Sequence, residues 1–268
     1  MKDTVKNKNY YEQEATEEEF LEWYKSQDLE TYEKPSNTVD LVTFRYDKER
    51  NKVQLLLIKR KQHPYKDKWA LAGGYINKGE SAEDAVIRET LEETGLEITH
   101  HQLDQLRTYT TPERDPRGWV NSVAYLVYID SNQDSKLTAG DDAQEVAWVD
   151  IKVDESNQLL LMKGGQQIKG EDLAFDHQDI IKDAVVRVRG QLDYKPIILN
   201  ILGNVFTMKE VKMVFSNFMP RYQDMSNSSF RTTQSKNLEE VGYEQAVTSG
   251  RPAKLYKLRE EYQEELTF

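Results

Sequence analysis

The chain has 268 residues, no cysteine and a formal net charge of −11, with 38% hydrophobic and 31% charged residues. That length suffices for two cores of roughly 100–150 residues each; the lack of cysteine excludes disulfides and thiolate metal sites, and the four histidines (His63, His100, His101 and His177) show no zinc spacing. No apolar run approaches the ~18 residues of a membrane span and no signal peptide precedes the polar start, so no membrane association is expected and the cytoplasm is the expected compartment.

Taken in chain order, Thr16 with Glu19 predicts a capped helix over 17–27, with Phe20, Leu21 and Tyr24 turned inward, and Pro35 ends this lead-in. Strands are predicted at 38–46 and 53–59, the second running into the basic loop KRKQHPYKDKW. Ser81 and Asp84 open a helix that Gly95 closes. Strands follow at 103–110, 120–129 and 146–151, with a loop at 136–142. Strands with one helix embedded among them predict a mixed sheet between helices, an α/β/α sandwich. Residues 177–189 have helical apolar spacing, and Gly190 is expected to end that helix. Then come a short apolar helical start at 197–202, a helix after the Thr207–Glu210 capping pair, a third helix at 226–238 and a strand pair within 243–258, hinged at 249–252. Three helices and a hairpin predict a winged helix-turn-helix, with Arg231 and Lys236 on its third helix and Arg251 at the wing tip as candidate DNA contacts; a winged helix that binds only protein fits the pattern equally. The expected divisions are a lead-in at 1–36, a sandwich at 37–176, a linker helix at 177–192 and a winged helix at 193–268. Ten basic and ten acidic residues balance in 193–268, so the whole negative excess lies in 1–192 and disfavours nonspecific nucleic-acid binding there.

Residues 74–96, GYINKGESAEDAVIRETLEETGL, carry the chemistry. Glu89, Glu92 and Glu93 stand at i, i+3 and i+4, on one side of one helix. Three like charges there repel, and a divalent cation such as Mg²⁺, or Mn²⁺ in its place, reverses the balance because hard cations take oxygen ligands. Arg88 is placed to hold Glu92, and Glu80 is placed to reach the same cluster. Beyond this segment, Arg60, Lys61 and Arg117 are candidates for phosphate or ribose contacts, and Tyr75 and Trp119 for stacking a base. Glu113 is a candidate for a proton-accepting base.

The segment resembles the Nudix box, G-x5-E-x7-R-E-U-x-E-E-x-G-U, where U is bulky and aliphatic. It departs once, with Thr90 at the first U. Ala72 stands just before the box where relatives often have proline. The resemblance implies a Mg²⁺-dependent hydrolase of nucleoside-linked diphosphates, with Gly74, Glu80, Glu89, Glu92 and Glu93 at the metal, Arg88 orienting a carboxylate and Glu145 in catalysis. DPRG at 115–118 and Pro112, sixteen residues past Leu96, resemble ADP-ribose pyrophosphatases. The run SSFRTTQSKNLEEVGYEQAVTSGRPAKLYKL at 228–258 and LAFDHQDI at 173–180 resemble the Nudix-related regulators of NAD metabolism. This second resemblance implies operator DNA as a partner and ADP-ribose as effector or substrate; the N-terminal helix and the logic of DNA binding favour a homodimer. An active ADP-ribose pyrophosphatase giving AMP and ribose 5-phosphate, and a sensor with little or no hydrolysis, both remain open on these residues.

Overall fold

The computed structural model describes residues 7–27, 32–130, 137–140, 143–244 and 252–259. The chain divides into two units, residues 1–34 and 35–268. The first unit holds α1 (Lys8–Gln13) and α2 (Glu17–Ser26), with the capping box of Thr16 and Glu19 formed as expected. The rings of Tyr11 and Trp23 stack with centres 4.8 Å apart. Phe20 is half-buried, with its ring 5.9 Å from that of Trp23, but Leu21 and Tyr24 are exposed; neither helix has a fully buried residue, because a unit of two short helices is too small to enclose one.

The second unit is built on one mixed sheet of β1 (Ser36–Asp47), β2 (Lys52–Arg60), β3 (Trp69–Ala70), β4 (Asp104–Tyr109), β5 (Val120–Ile129), β6 (Ala143–Val153), β7 (Leu159–Lys163) and β8 (Gln166–Ile168). The spatial order is β4-β5-β1-β2-β6-β7-β8, with β3 on β2. The β1–β5 pair is parallel and the other pairs are antiparallel. One sheet face packs on α3 (Ala82–Thr94), where Ala85 and Val86 meet Val39, Leu41 and Val127. The opposite face, with Val42, Phe44 and Leu55, packs on α4 (His177–Gln191) through Ile181, Ala184 and Val188. This is an α/β/α sandwich. Helix α4 does not stop at Gly190 but runs one residue further, since one unfavourable glycine costs only about 1 kcal/mol against the packing of a whole apolar face.

A 3₁₀ helix (Ile197–Leu202) leads to the C-terminal region: β9 (Phe206–Thr207), α5 (Met208–Phe218), α6 (Arg221–Asp224), α7 (Asn227–Gln234), β10 (Leu238–Tyr243) and β11 (Lys254–Leu258). Strands β10, β11 and β9 form a small antiparallel sheet beside the helices, completing a winged helix. The third helix is shorter than its expected span. Asn237 Nδ2 donates to Gln234 Oε1 at 3.0 Å inside the fold, the chain turns there, and Leu238 starts a strand. Gly242 lies in β10. The winged helix shares its core with the sandwich, as Phe218 sits edge-on to Phe44 of β1 with ring centres 5.8 Å apart. No described helix is long and apolar enough to cross a membrane.

Candidate functional site

The site begins where two strands part. Strand β2 pairs with β1 only at Phe44–Asp47, and residues 72–76 fill the gap beside the rest of β1. Val39 N–H donates to the Gly74 carbonyl and Leu41 N–H to that of Ala72, both at 2.9 Å. A Cβ on Gly73, whose φ is +159°, would fall 2.0 Å from the Val39 carbonyl oxygen, so this close approach requires glycine.

Helix α3 rises from this segment. Ser81 Oγ accepts the Asp84 N–H at 3.0 Å, and Gly95 ends the helix in the left-handed region at φ 71°. Thr90, at the position of the missing aliphatic, is buried and donates its hydroxyl proton to the Val86 carbonyl at 2.6 Å, so the departure leaves no polar group unsatisfied.

Arg88 gathers the carboxylates. Its Nε and Nη2 donate to the two oxygens of Glu80 at 2.7 and 3.0 Å, and its Nη1 donates to Glu89 at 2.7 Å and Glu92 at 3.2 Å. Its Nη2 also donates to the Tyr75 carbonyl at 3.0 Å, tying the loop to the helix. Glu92 is therefore one of three partners, and Glu80 takes the two-pronged contact. Arg88, together with the Asn77 N–H, holds the Glu80 carboxyl down at about 2. Burial, with the charges of Glu92 and Glu80, pushes Glu89 above the ordinary carboxylate value against the pull of Arg88. Glu93 accepts the Gly73 N–H at 2.9 Å.

Among the described residues, no three acidic or histidine side chains converge as a preformed cation cage. The donors nevertheless suit Mg²⁺ or Mn²⁺: Glu80, Glu89 and Glu92 share one guanidinium, Glu93 holds the Gly73 N–H beside them, and the Glu89 carboxylate lies over Gly74, where a Cβ would come within 2.4 Å of it.

Beside the box is a cavity of about 260 Å³. Glu89, Glu93 and Gly74 line one part of it, and Arg60, Tyr75, Arg117 and Phe175 another. The Arg117 guanidinium lies 5.1 Å from the Tyr75 ring centre and 5.6 Å from that of Phe175, and Arg60 lies 5.1 Å from Phe175. Asp115 holds Arg117 through contacts of 2.7 and 3.0 Å. Cations stacked on aromatic faces and facing carboxylates form a polar slot with flat walls.

The cavity also reaches residues that no local pattern flagged. Asp40 of β1 is buried; it accepts from Ser122 Oγ at 2.5 Å and faces Arg114 at 3.4 Å and His177 Nε2 at 3.2 Å. Burial alone would raise its pKa, but His177, Arg114 and Ser122 outweigh that and hold it below the ordinary value. His177 Nδ1 accepts the Leu71 N–H at 2.9 Å, which leaves Nε2 to carry the proton toward Asp40. Arg114 makes a two-pronged contact with Asp176 at 2.6 and 2.9 Å, just before α4.

Other expected residues lie elsewhere. Glu145 pairs with Lys163 at 2.6 Å and is not among the cavity's lining residues, nor are Lys61, Glu113 and Trp119. Arg231 is exposed on α7, Lys236 is exposed in the turn after it rather than on the helix, and Arg251 lies outside the described residues.

Residues 34–153 match the NUDIX domain and residues 198–258 the NrtR DNA-binding winged helix domain. The chain is 27% identical over 245 residues to the ADPR responsive transcriptional repressor NtrR of Acinetobacter baylyi, spanning 91% of this chain and 88% of that protein. It is 42% identical over 130 residues to the ADP-ribose pyrophosphatase of Methanocaldococcus jannaschii, spanning 48% of this chain and 64% of that one. The crystal structure of a MutT/nudix family protein from Enterococcus faecalis superimposes with a TM-score of 0.81 at 40% identity, covering 94% of this chain and 96% of that one. An overlap this complete, with the box assembled around Arg88, means that the chain belongs to the Nudix family and carries a winged helix of the NrtR type.

Proposed function

We propose that the box cavity takes ADP-ribose and hydrolyses its diphosphate to AMP and ribose 5-phosphate, in a chain whose winged helix binds operator DNA. The observation that carries this reading is the cavity itself, in which Glu89 and Glu93 face Arg60, Arg117 and two aromatic rings. Its volume of about 260 Å³ is below the usual ~300–1,000 Å³ of a small-molecule site, so it suits the diphosphate and its neighbouring sugar, with the remainder of the ligand at the mouth. Arg60 and Arg117 offset phosphate charge, and Tyr75 and Phe175 offer flat faces to a ring. Glu89, Glu92 and Glu93 would hold the divalent cation, which supplies Lewis acidity and a more acidic water when bound. Arg88 orients Glu89 and Glu92, and the Gly73 N–H holds Glu93. The ADP-ribose pyrophosphatase named above supports the substrate class, and the winged-helix match supports the DNA partner.

A second reading is an ADP-ribose sensor with little or no hydrolysis. It is favoured by the hold of Arg88 on three carboxylates and by the near full-length likeness to a repressor. Incubating the full chain with ADP-ribose and Mg²⁺ separates the two. AMP release that is lost in Glu93→Gln supports hydrolysis. If no AMP appears, and none appears from the variant, hydrolysis is refuted. A gel shift on promoters of NAD-synthesis genes that changes on adding ADP-ribose then supports the sensor; no shift in either condition refutes the DNA-binding role.

A further inference from the structure

A second cavity, of about 660 Å³, lies where the winged helix meets the sheet, and it shares no lining residue with the box cavity. One wall comes from β6 and β7, the other from α5 and the start of α7. Its apolar surface comes from Ile151, Leu160, Met162 and Met213, none of them exposed. Its charge is one-sided. Lys52, Lys152, Lys209 and Lys212 line it, against Asp150 as its one acidic lining residue. Asp150 is already occupied, by Arg50 at 2.7 and 3.1 Å, Lys52 at 2.6 Å and Gln54 at 2.9 Å. Lys212 donates to two neutral groups, the Met225 carbonyl at 2.6 Å and Asn227 Oδ1 at 3.4 Å, so its charge is not offset. Lys152 and Lys209 are exposed, and their ammonium groups have no hydrogen-bond or ion-pair partner among the described residues.

Three ammonium groups with no acidic partner among the described residues line an apolar floor, a local positive excess in a chain of net charge −11. Its size falls within the ~300–1,000 Å³ of small-molecule sites, and junctions between domains are where such sites concentrate. We propose that this junction is a second ligand site, for a small organic anion with an apolar body: the body lies on Met213 and Ile151, and the anionic head lies between Lys152, Lys209 and Lys212. An anion that draws on Lys212 competes with its contacts to Met225 and Asn227, which hold the start of α7. This site is independent of how the box is read.

The test uses the full chain in EDTA with the fluorescent anion 8-anilinonaphthalene-1-sulfonate, alongside neutral N-phenyl-1-naphthylamine. The expected result is one saturable sulfonate site, unmoved by excess ADP-ribose and displaced by phenyl phosphate or benzoate. The preferred competitor tells a phosphate head from a carboxylate head. Lys152→Gln with Lys209→Gln should weaken the sulfonate about tenfold and leave the neutral dye within about twofold, each single change giving part of the loss. Both lysines are exposed, so an unchanged thermal midpoint verifies folding. Equal affinity in wild type and double variant, displacement by ADP-ribose, or displacement by neither competitor overturns the proposal. A seam filled only with water and salt gives no saturable sulfonate site, which overturns the proposal as well.

Discussion

The Glu89 carboxylate occupies the space that a side chain at Gly74 would need, since a Cβ built there falls 2.4 Å from Glu89 Oε1. The clash is with the far end of a flexible side chain, so Gly74→Ala should fold and displace Glu89 from the box. The expected loss of stability is within about 1 kcal/mol, with Mn²⁺ binding by calorimetry weakened at least tenfold. Gly73→Ala differs in kind, because its Cβ would meet the Val39 backbone at 2.0 Å, and its midpoint should fall well below that of Gly74→Ala. Equal effects of the two changes would contradict this contrast.

Glu80 and Arg88 predict a pH signature. A carboxyl held at about 2 contributes stability that is present above its unfolded value of roughly 4.3 and is lost as pH falls toward 2. In EDTA, Glu80→Gln should therefore cost most at neutral pH, and the gap to wild type should close between about pH 4.5 and pH 2. Urea midpoints at pH 7, 4 and 2.5 measure it; a gap that stays constant would show that the pair adds nothing in solution.

The buried cluster under the cavity is tested by deletion. His177→Ala removes the acceptor for Leu71 N–H and the neighbour of Asp40 together, at a cost of about 2–4 kcal/mol in urea unfolding. Asp40→Ala leaves Arg114 with Asp176 but strips Ser122 and His177 of their acceptor, and about 3–5 kcal/mol is expected. A loss below 1 kcal/mol in both would mean that water replaces the cluster freely.

On the winged helix, Arg231 is exposed on α7. If it touches phosphate, Arg231→Ala should weaken binding to every DNA sequence alike and lower the slope of log affinity against log salt by about 1. If it reads a base, the loss should be about 1–3 kcal/mol at one position of the operator. Unchanged binding in gel shifts over a salt series would place the DNA contact elsewhere.

The box was legible because its signals are local: a cap at Ser81, a stop at Gly95 and carboxylates at helical spacing. The Asp40 cluster was not. Asp40 meets Ser122 only because β1 and β5 pair in parallel across 82 residues of chain, and meets His177 only because α4 crosses the sheet afterwards. The β7–β8 hairpin was missed although its signal was present. Gly164 and Gly165 have φ values of 55° and 85°, the backbone that a two-residue hairpin requires, and the short flanking runs hid it. The helix at 226–238 was read too long because nothing local reveals that Asn237 bonds to Gln234 inside the fold.

Phe218 against Phe44 has a last consequence. Halves that share an interior melt as one body, so calorimetry should trace a single transition for residues 35–268 rather than two. Removing everything after residue 192 would bare the apolar back of the sheet, and the remnant should precipitate instead of reporting on the box alone. A lesion anywhere in that common interior would take the winged helix and the box cavity with it, at one temperature.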